Sequence, residues 1–384
     1  MKTPLAWLNL THNKLRTFVA GAGVTFAVVL VFMQLGFLGS VRATASMIYD
    51  ALDFDLVIRS RRYLNLADTQ SFPRSRLYQA VSVPEVRRAT ALHVGLNQWR
   101  NPNDGTKRRI LVLGVTPGDP VFRVKEIQQK TELLHASEFV LIDRCSRDDF
   151  GPADGRKFGD ADIGTQSEIG RQKVRIVGHF ELGSGFAADG AVLIADRGFR
   201  RIQGRRGVDR VSLGLVKLKD GVDVEAAAGR LRDALPKDVE VLTREGMIRF
   251  ERDIWLNEMS IGVIFRLGVI VAMVVGTAIV YQVLSSDVTK HLAEYATLKA
   301  IGYGGDFLSS LVLQQAIVLA VMGFLPGLAI SVVLYRVTAQ VANIPIAMNA
   351  GRVVLVLGLS VAMCTMSGLG ALRKVRSSDP ADLF

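Results

Sequence analysis

The sequence predicts a membrane protein with four transmembrane α-helices and a large α+β extracytoplasmic domain between the first helix and the second. The chain has 384 residues, of which 47 are Lys or Arg and 36 are Asp or Glu. A bilayer core about 30 Å thick needs roughly 20 apolar residues in a helix. Four stretches of 20 residues or more contain no charge, and no other uncharged stretch exceeds 15 residues. These four stretches are 17–41, 267–286, 307–335 and 353–372.

The first uncharged stretch has an alternative interpretation as a signal peptide. Lys14 and Arg16 precede it, and the string Ala43-Thr44-Ala45 resembles a cleavage site. The apolar core of a signal peptide runs about 7–15 residues, whereas 18–38 is a longer run without charge. We therefore predict a retained membrane anchor. Residues 1–16 before it are expected to form a cytoplasmic interfacial elbow helix, with a frayed tail as the alternative.

The distribution of Lys and Arg near the membrane predicts the topology. Eight of them lie in the two termini and in the loop 287–306, against two in the loop 336–352. Positive residues concentrate in cytoplasmic loops, so the termini and 287–306 are predicted to be cytoplasmic. The transmembrane helices are then 17–41, 266–286, 307–335 and 353–372. The extracytoplasmic parts are 42–265 and the short loop 336–352, and 373–384 is a cytoplasmic tail.

The insert between the first two spans has the size and pattern of a folded domain. Residues 41–266 contain 37 Lys and Arg and 31 Asp and Glu, and a chain this long can bury a core in two subdomains. Apolar runs of strand length alternate with turns. The predicted strands are 55–59, 110–115, 139–143, 174–180 and 191–195. A β-α-β unit of 211–218, 224–235 and 239–242 follows and completes a subdomain that begins near residue 55, with about 100–205 inserted between the two halves of that subdomain.

The end of the insert is predicted to be a helical stalk. Residues 244–266 alternate charged and apolar side chains and lead into the second span. Tryptophan favours the membrane–water interface, so Trp255 is expected there. The apolar positions of the preceding predicted helix, which include Val224, Ala228 and Leu231, form a stripe typical of an amphipathic helix.

The sequence lacks the motifs of common enzymes. It has no G-x-x-x-x-G-K-[ST] loop, no H-E-x-x-H and no G-x-S-x-G, so ATP hydrolysis and other catalysis are not expected on this chain, nor is a cofactor or metal. Cys145 lies in the insert and Cys364 in the fourth span, and both are expected to be unpaired. The four uncharged stretches carry no charged residue, and Arg266 lies only at the edge of the second span. Ionisable residues inside a membrane normally mark ion paths. Any transport therefore needs energy from a partner protein.

The loop 287–306 is the strongest functional candidate. Val288, Leu292 and Tyr295 have helical spacing, and Gly302 is suited to a helix C-cap. The loop is therefore an amphipathic helix, either a solvated connector on the lipid surface or a docking helix for a cytoplasmic partner.

Three motifs resemble one family, the FtsX-like/MacB-type ABC transporter permeases. Their coupling signature E-x-x-x-L-K-A-[IL]-G is similar to the residues from Glu294 to Gly302, and their entry motif L-x-x-N-K-x-R-T to those from Leu10 to Thr17. The last six residues resemble the D-P-A-D-[LIV]-F tail of the DevC branch, whose members export heterocyst-type glycolipid. The order of one span, an external domain and three spans also matches. MacB carries its ATPase on the same chain, and this sequence departs from that.

The resemblance implies a MacB-like periplasmic core fold and a role as the permease subunit of an ATP-driven exporter in the cell inner membrane. It implies a homodimer, a separate ABC ATPase that binds ATP and Mg²⁺, a periplasmic adaptor protein, and lipid-like or other envelope cargo moved by mechanotransmission. Lys14 and Arg16 are then membrane-entry residues. The expected ATPase-coupling residues are Leu292, Glu294, Leu298, Lys299, Ala300, Ile301 and Gly302. The alternative function is an ATPase-coupled signalling scaffold that activates a cell-wall hydrolase without transport.

Two further features have open interpretations. The string 199–210 has five arginines, which predict a solvated loop or a contact with an acidic adaptor surface or lipid headgroups. A nucleic-acid partner is not expected, because this domain is extracytoplasmic. Gly323 and Gly327, with Pro326 between them, indicate close helix approach, within one chain or at a dimer seam.

Overall fold

The computed structural model describes residues 14–152, 156–183, 189–204, 209–290 and 305–376. The chain divides into two compact units. We call one the membrane-helix unit, which comprises Met1–Gly39, Ser260–Ala342 and Ile346–Phe384. We call the other the inserted domain, which comprises Ser40–Met259 and Asn343–Pro345.

Four long apolar helices confirm the predicted fold class within the described residues. They are α1 (Lys14–Ala51), α7 (Ser260–Lys290), α8 (Gly305–Ala342) and α9 (Ala350–Arg376). Each contains a segment long and apolar enough to cross a membrane. All four helices extend past the predicted spans, and α8 reduces the loop predicted at 336–352 to residues 343–349. Residues 43–45, the candidate cleavage site, lie inside the continuous helix α1.

Glycines bring the helices of the membrane-helix unit into close contact. A Cβ atom built on Gly323 would lie 2.5 Å from the Val24 Cβ, and one on Gly327 would lie 2.7 Å from a Val28 methyl group. The Thr25 hydroxyl also donates a hydrogen bond of 3.0 Å to the Gly323 carbonyl. The close approach of α8 to α1 within one chain is therefore confirmed, since only glycine leaves room for it.

The inserted domain is built on one nine-stranded sheet in the order β11-β1-β10-β3-β4-β8-β5-β7-β6. The strand β6 also pairs with β3, so the six strands β3-β4-β8-β5-β7-β6 form a closed ring. The pairs β4–β8 and β5–β7 are parallel and the other pairs are antiparallel. The strands are β1 (Leu56–Ser60), β3 (Val86–Arg100), β4 (Lys107–Val115), β5 (Phe139–Asp143), β6 (Gln166–Ile169), β7 (Gln172–Phe180), β8 (Ala191–Ala195), β10 (Leu213–Leu218) and β11 (Val239–Thr243); β2 (Phe72–Pro73) pairs with β9 (Arg210–Val211).

The short helices of the inserted domain cover the sheet. They are α2 (Ser75–Val81), α3 (Lys125–Lys130), α4 (Asp196–Gln203), α5 (Val224–Ala234) and α6 (Arg244–Asp253). The predicted β-α-β unit is confirmed as β10, α5 and β11, with β1 lying between the two strands. Ala228 and Leu231 of the predicted stripe are buried, but Val224 is 38% exposed because it lies in the first turn.

The strand β3 was not among the predicted strands. Its sequence contains His93, Asn97 and Gln98 among apolar residues, which breaks a regular period-two pattern. Both edges of β3 are paired, to β10 along its first half and to β4 along its second half. It therefore joins the two predicted subdomains into one continuous sheet.

Candidate functional site

The predicted coupling residues lie outside the residues that the structure describes. These residues are Leu292, Glu294, Leu298, Lys299, Ala300, Ile301 and Gly302. They stay predictions. Lys14 and Arg16 lie in the first turn of α1. A second candidate site is described in full, at the place where α1 enters the inserted domain and α6 leaves it.

A buried carboxylate lies at the centre of this second site. The Glu251 side chain on α6 is 0% exposed. One carboxylate oxygen accepts hydrogen bonds from the Tyr49 hydroxyl, at 3.0 Å, and from the Tyr63 hydroxyl. The other oxygen accepts a bond of 3.2 Å from the indole N–H of Trp255. We call these four residues the Glu251 cluster.

The Glu251 cluster ties together three separate parts of the inserted domain. Tyr49 is in the last turn of α1, Tyr63 follows strand β1, and Trp255 follows α6. The two tyrosine hydroxyls also lie 2.8 Å apart. A buried carboxylate must be hydrogen-bonded to be tolerated, so the three donors fix the positions of these segments relative to one another.

Burial sets the protonation behaviour of the cluster. It raises the pKa of Glu251 above the ordinary value, although the hydrogen bonds from Tyr63, Tyr49 and Trp255 act in the opposite direction. Burial also raises the pKa of Tyr63 well above its usual range, so this phenol stays a donor at neutral pH. The cluster lacks an activated nucleophile and is suited to structural coupling.

Arginines reinforce the junction of α1 and α6 with the sheet. The Arg59 guanidinium on β1 lies 3.6 Å from the centroid of the Phe250 ring and pairs with Glu240 at 2.7 Å. Arg244 donates a hydrogen bond of 2.9 Å to the carbonyl of Tyr49. Guanidinium groups suit such sites because they stack on rings while they donate hydrogen bonds.

The stalk differs from the single helix predicted over 244–266. The helix α6 ends at Asp253, a π-helical turn covers Ile254–Glu258, and Met259 is extended with φ −76° and ψ 137° before α7 begins. Trp255 is 7% exposed and its indole N–H bonds to Glu251, so the ring packs inside the inserted domain; its place at the membrane interface stays a prediction. The need to satisfy a buried carboxylate determines the position of the indole.

A third chain segment joins the inserted domain after α8. The Asn343 side-chain amide donates a hydrogen bond of 2.7 Å to the carbonyl of Cys145. Asn343 has φ of +50°, a left-handed conformation that asparagine tolerates better than most residues. Cys145 is unpaired as predicted, and burial raises the pKa of its thiol to about 11, so it is not a reactive thiolate at neutral pH.

The string 199–210 is only partly a loop. Its first residues belong to α4, where Arg200 pairs with Asp196 at 3.3 Å and Arg201 donates a hydrogen bond of 2.9 Å to the Lys173 carbonyl. Arg210 donates to the Ser71 hydroxyl at 2.9 Å. Residues 205–208 lie outside the described part of the chain. Three of the five arginines therefore bind residues of their own domain.

Across the described residues, no group of three or more His, Cys, Asp or Glu side chains could hold a metal ion. A cavity of about 390 Å³ contains the buried His93, whose Nε2 atom has no hydrogen-bond partner.

The four apolar helices and the inserted domain have the architecture of a multi-pass membrane protein with an extracytoplasmic domain, and comparison with known families identifies the class. The MacB-like periplasmic core domain matches residues 17–234, and the FtsX-like permease C-terminal domain matches residues 266–380. This chain therefore belongs to the FtsX/MacB-like permease family of ABC transporter membrane subunits. No curated protein matches the chain in sequence.

Two solved structures each match about half of the chain. The periplasmic region of MacB from Actinobacillus actinomycetemcomitans is 11% identical, with a TM-score of 0.35, and the match covers 53% of this chain and 94% of that one. The extracellular domain of the noncanonic ABC-type transporter YknZ from Gram-positive bacteria is 14% identical, with a TM-score of 0.34, and the match covers 49% of this chain and 98% of that one.

Proposed function

We propose that this chain is the permease subunit of an ATP-driven exporter that couples a separate cytoplasmic ABC ATPase to the inserted domain and a periplasmic adaptor. The observation that carries the proposal is the Glu251 cluster. It attaches the end of α1 and the stalk to the same sheet through hydrogen bonds to one buried carboxylate. A displacement of either chain segment would therefore move the inserted domain.

The helix α1 is suited to carry such a displacement. It is continuous over 38 residues, from Lys14 to Ala51, and its backbone hydrogen bonds resist stretching. The extended residue Met259, between the π-helical turn and α7, provides a point where the chain direction can change. In this mechanism, ATP binding on the partner moves the membrane helices, and the inserted domain follows.

The coupling residues Glu294 and Lys299 are proposed to contact the ATPase on the cytoplasmic side. ATP and Mg²⁺ would bind to that partner, and this chain would have no catalytic role. Since the uncharged stretches offer no polar path, cargo would be expelled by the inserted domains of a homodimer rather than through the helices. A lipid-like envelope cargo, such as the glycolipid of the DevC branch, and an inner-membrane location complete the proposal.

The proposal is tested by copurification from membranes. The double variant Glu294→Ala with Lys299→Ala is expected to retain at least tenfold less ATPase than the wild type, while membrane insertion is unchanged. The matched control is Glu225→Ala with Lys237→Ala, because both side chains are exposed on the inserted domain. Equal recovery of the ATPase by the wild type and the coupling variant would refute the assignment.

The identity of the copurified proteins separates export from signalling. An adaptor protein and bound lipid in the purified complex would support export. A cell-wall hydrolase in their place, with the ATPase still bound, would support the signalling scaffold instead.

A further inference from the structure

A cavity of about 480 Å³ lies beside α6, away from the Glu251 cluster. Its walls come from α1 and from one face of α6 with the π-helical turn that follows. Three arginines line it: Arg42 from α1, and Arg249 and Arg252 from α6. Ile248 and Leu256 supply apolar wall. A small basic cavity with an apolar side fits an anionic group attached to a hydrocarbon body.

The arginines have hydrogen-bond donors to spare. Arg252 donates one bond of 3.0 Å to the Ser46 hydroxyl, and its Nε atom is buried without an acceptor. Arg42 and Arg249 are exposed, and within the described part of the chain neither forms an ion pair. Guanidinium groups bind phosphate oxygens through paired hydrogen bonds, so unused donors on one cavity favour a phosphate ligand.

Two carboxylates also line the cavity and limit its charge. Glu245 and Asp253 lie four residues before and after Arg249 on the same helix face, a spacing that would allow ion pairs. Three guanidinium groups and two carboxylates leave one net positive charge. That charge matches a singly charged phosphodiester better than a doubly charged free phosphate.

The position of Arg42 places the cavity at the level of lipid headgroups. Arg42 is the first charged residue after the uncharged stretch 17–41, and both belong to the unbroken helix α1. At 1.5 Å per residue, its backbone lies within one helical turn of the end of the apolar segment. The apolar side chains Ile248 and Leu256 would then face the glycerol and upper acyl region of a lipid.

We propose that this cavity binds the phosphodiester headgroup of an anionic membrane lipid, from the leaflet on the side of the inserted domain. The inference depends on the four-span topology and is independent of any ATPase or cargo. The lipid would act as a fixed anchor for the junction of α1 and α6. Because Arg252 lines this cavity and donates a hydrogen bond to Ser46 of α1, the bound headgroup would stiffen the same junction as the Glu251 cluster.

The test is lipid binding to the purified full chain, measured by native mass spectrometry in neutral detergent with added phosphatidylglycerol or phosphatidylcholine. The wild type is expected to retain phosphatidylglycerol in preference to phosphatidylcholine. In Arg42→Gln with Arg249→Gln, this binding should weaken about 25-fold, or about fivefold for each arginine at an anionic surface. The control is Arg87→Gln with Arg171→Gln, two exposed arginines away from the cavity, which should bind like the wild type.

Each outcome decides the proposal. Arg42 and Arg249 are exposed, so their replacement should leave the thermal unfolding midpoint unchanged, and a folded double variant with wild-type binding would overturn the proposal. Inorganic phosphate is the second probe. Displacement of phosphatidylglycerol by equimolar inorganic phosphate would identify free phosphate as the ligand and overturn the assignment to a lipid, whereas retention of the lipid supports it.

Discussion

The membrane-helix unit and the inserted domain use opposite means to hold their parts together. In the former, close packing at glycines such as Gly323 and Gly276 brings helices into contact. In the latter, buried polar groups such as Glu251 and Arg59 connect the elements. The ion pairs Arg59–Glu240, Arg100–Glu168 and Arg244–Asp50 all belong to the inserted domain. Lipid cannot solvate charge, whereas a water-exposed domain can bury a few charged groups at the points that must move together.

The largest expected effect tests the polar side of this comparison. The variant Glu251→Leu removes the shared acceptor of Tyr49, Tyr63 and Trp255. The two hydroxyls can then bond only to each other, so at least two of the three buried donors lose their acceptor. We expect the free energy of unfolding of the inserted domain to fall by about 4 kcal/mol. Hydrogen exchange in the full-length protein measures this change. The exposed Glu225→Ala variant is the control, and a loss below about 1 kcal/mol in Glu251→Leu would contradict a structural role.

The next largest expected effect is a pH dependence of the folding stability that arises from His93. Burial lowers the pKa of this imidazole from 6.5 to about 4, with Arg74 and Arg200 lowering it further and Asp196 raising it. The unfolded chain therefore binds a proton at a higher pH than the folded chain. The stabilising contribution is complete above pH 6.5 and is lost as the pH falls towards 4, by up to about 3 kcal/mol.

The His93 contribution is isolated by a variant. In His93→Phe the loss of stability between pH 6.5 and 4 should be smaller than in the wild type by up to about 3 kcal/mol. Hydrogen exchange of the β3 amides measures this difference. The wild type must be compared with His93→Phe because other groups also change the stability over this pH range. Burial raises the pKa of the Asp143 and Glu251 carboxyls, and these groups favour the folded state at low pH. Identical pH profiles for the two proteins would contradict a neutral, buried His93.

The smallest effect tests the apolar side of the comparison. In Gly323→Ala the new methyl group would lie 2.5 Å from the Val24 Cβ, so α1 and α8 must separate. We expect a loss of about 2 kcal/mol in the stability of the helical unit. The matched control is Gly358→Ala on α9, where nothing lies within 4 Å of the added atom. Circular dichroism monitors thermal unfolding of each variant in detergent. Only Gly323→Ala should have a lower unfolding midpoint than the wild type.

The sequence predicts local patterns better than long-range polar contacts. The spans and the β-α-β unit follow from charge-free length and from helical or strand periodicity. The strand β3 was missed because its polar residues conceal the alternation. The Glu251 cluster was missed because its members are far apart in sequence. One feature of the sequence indicates the cluster. A helical face formed by Met247, Glu251, Ile254 and Trp255 is apolar except for the single carboxylate, which is typical of a buried acidic residue.

The most direct test of the proposed coupling is the distance between the two inserted domains of the proposed homodimer during the ATPase cycle. A spin label at Asp220→Cys, whose side chain is fully exposed, would report it by double electron–electron resonance after Cys145 and Cys364 are replaced by Ala. We predict that ATP and Mg²⁺ shift this distance in the wild-type complex. The shift should be lost in Glu251→Gln with the ATPase still bound, because the neutral amide weakens the attachment of α1 and α6 to the sheet. An unchanged distance in the wild-type complex, or an equal shift in both proteins, would contradict transmission through the Glu251 cluster.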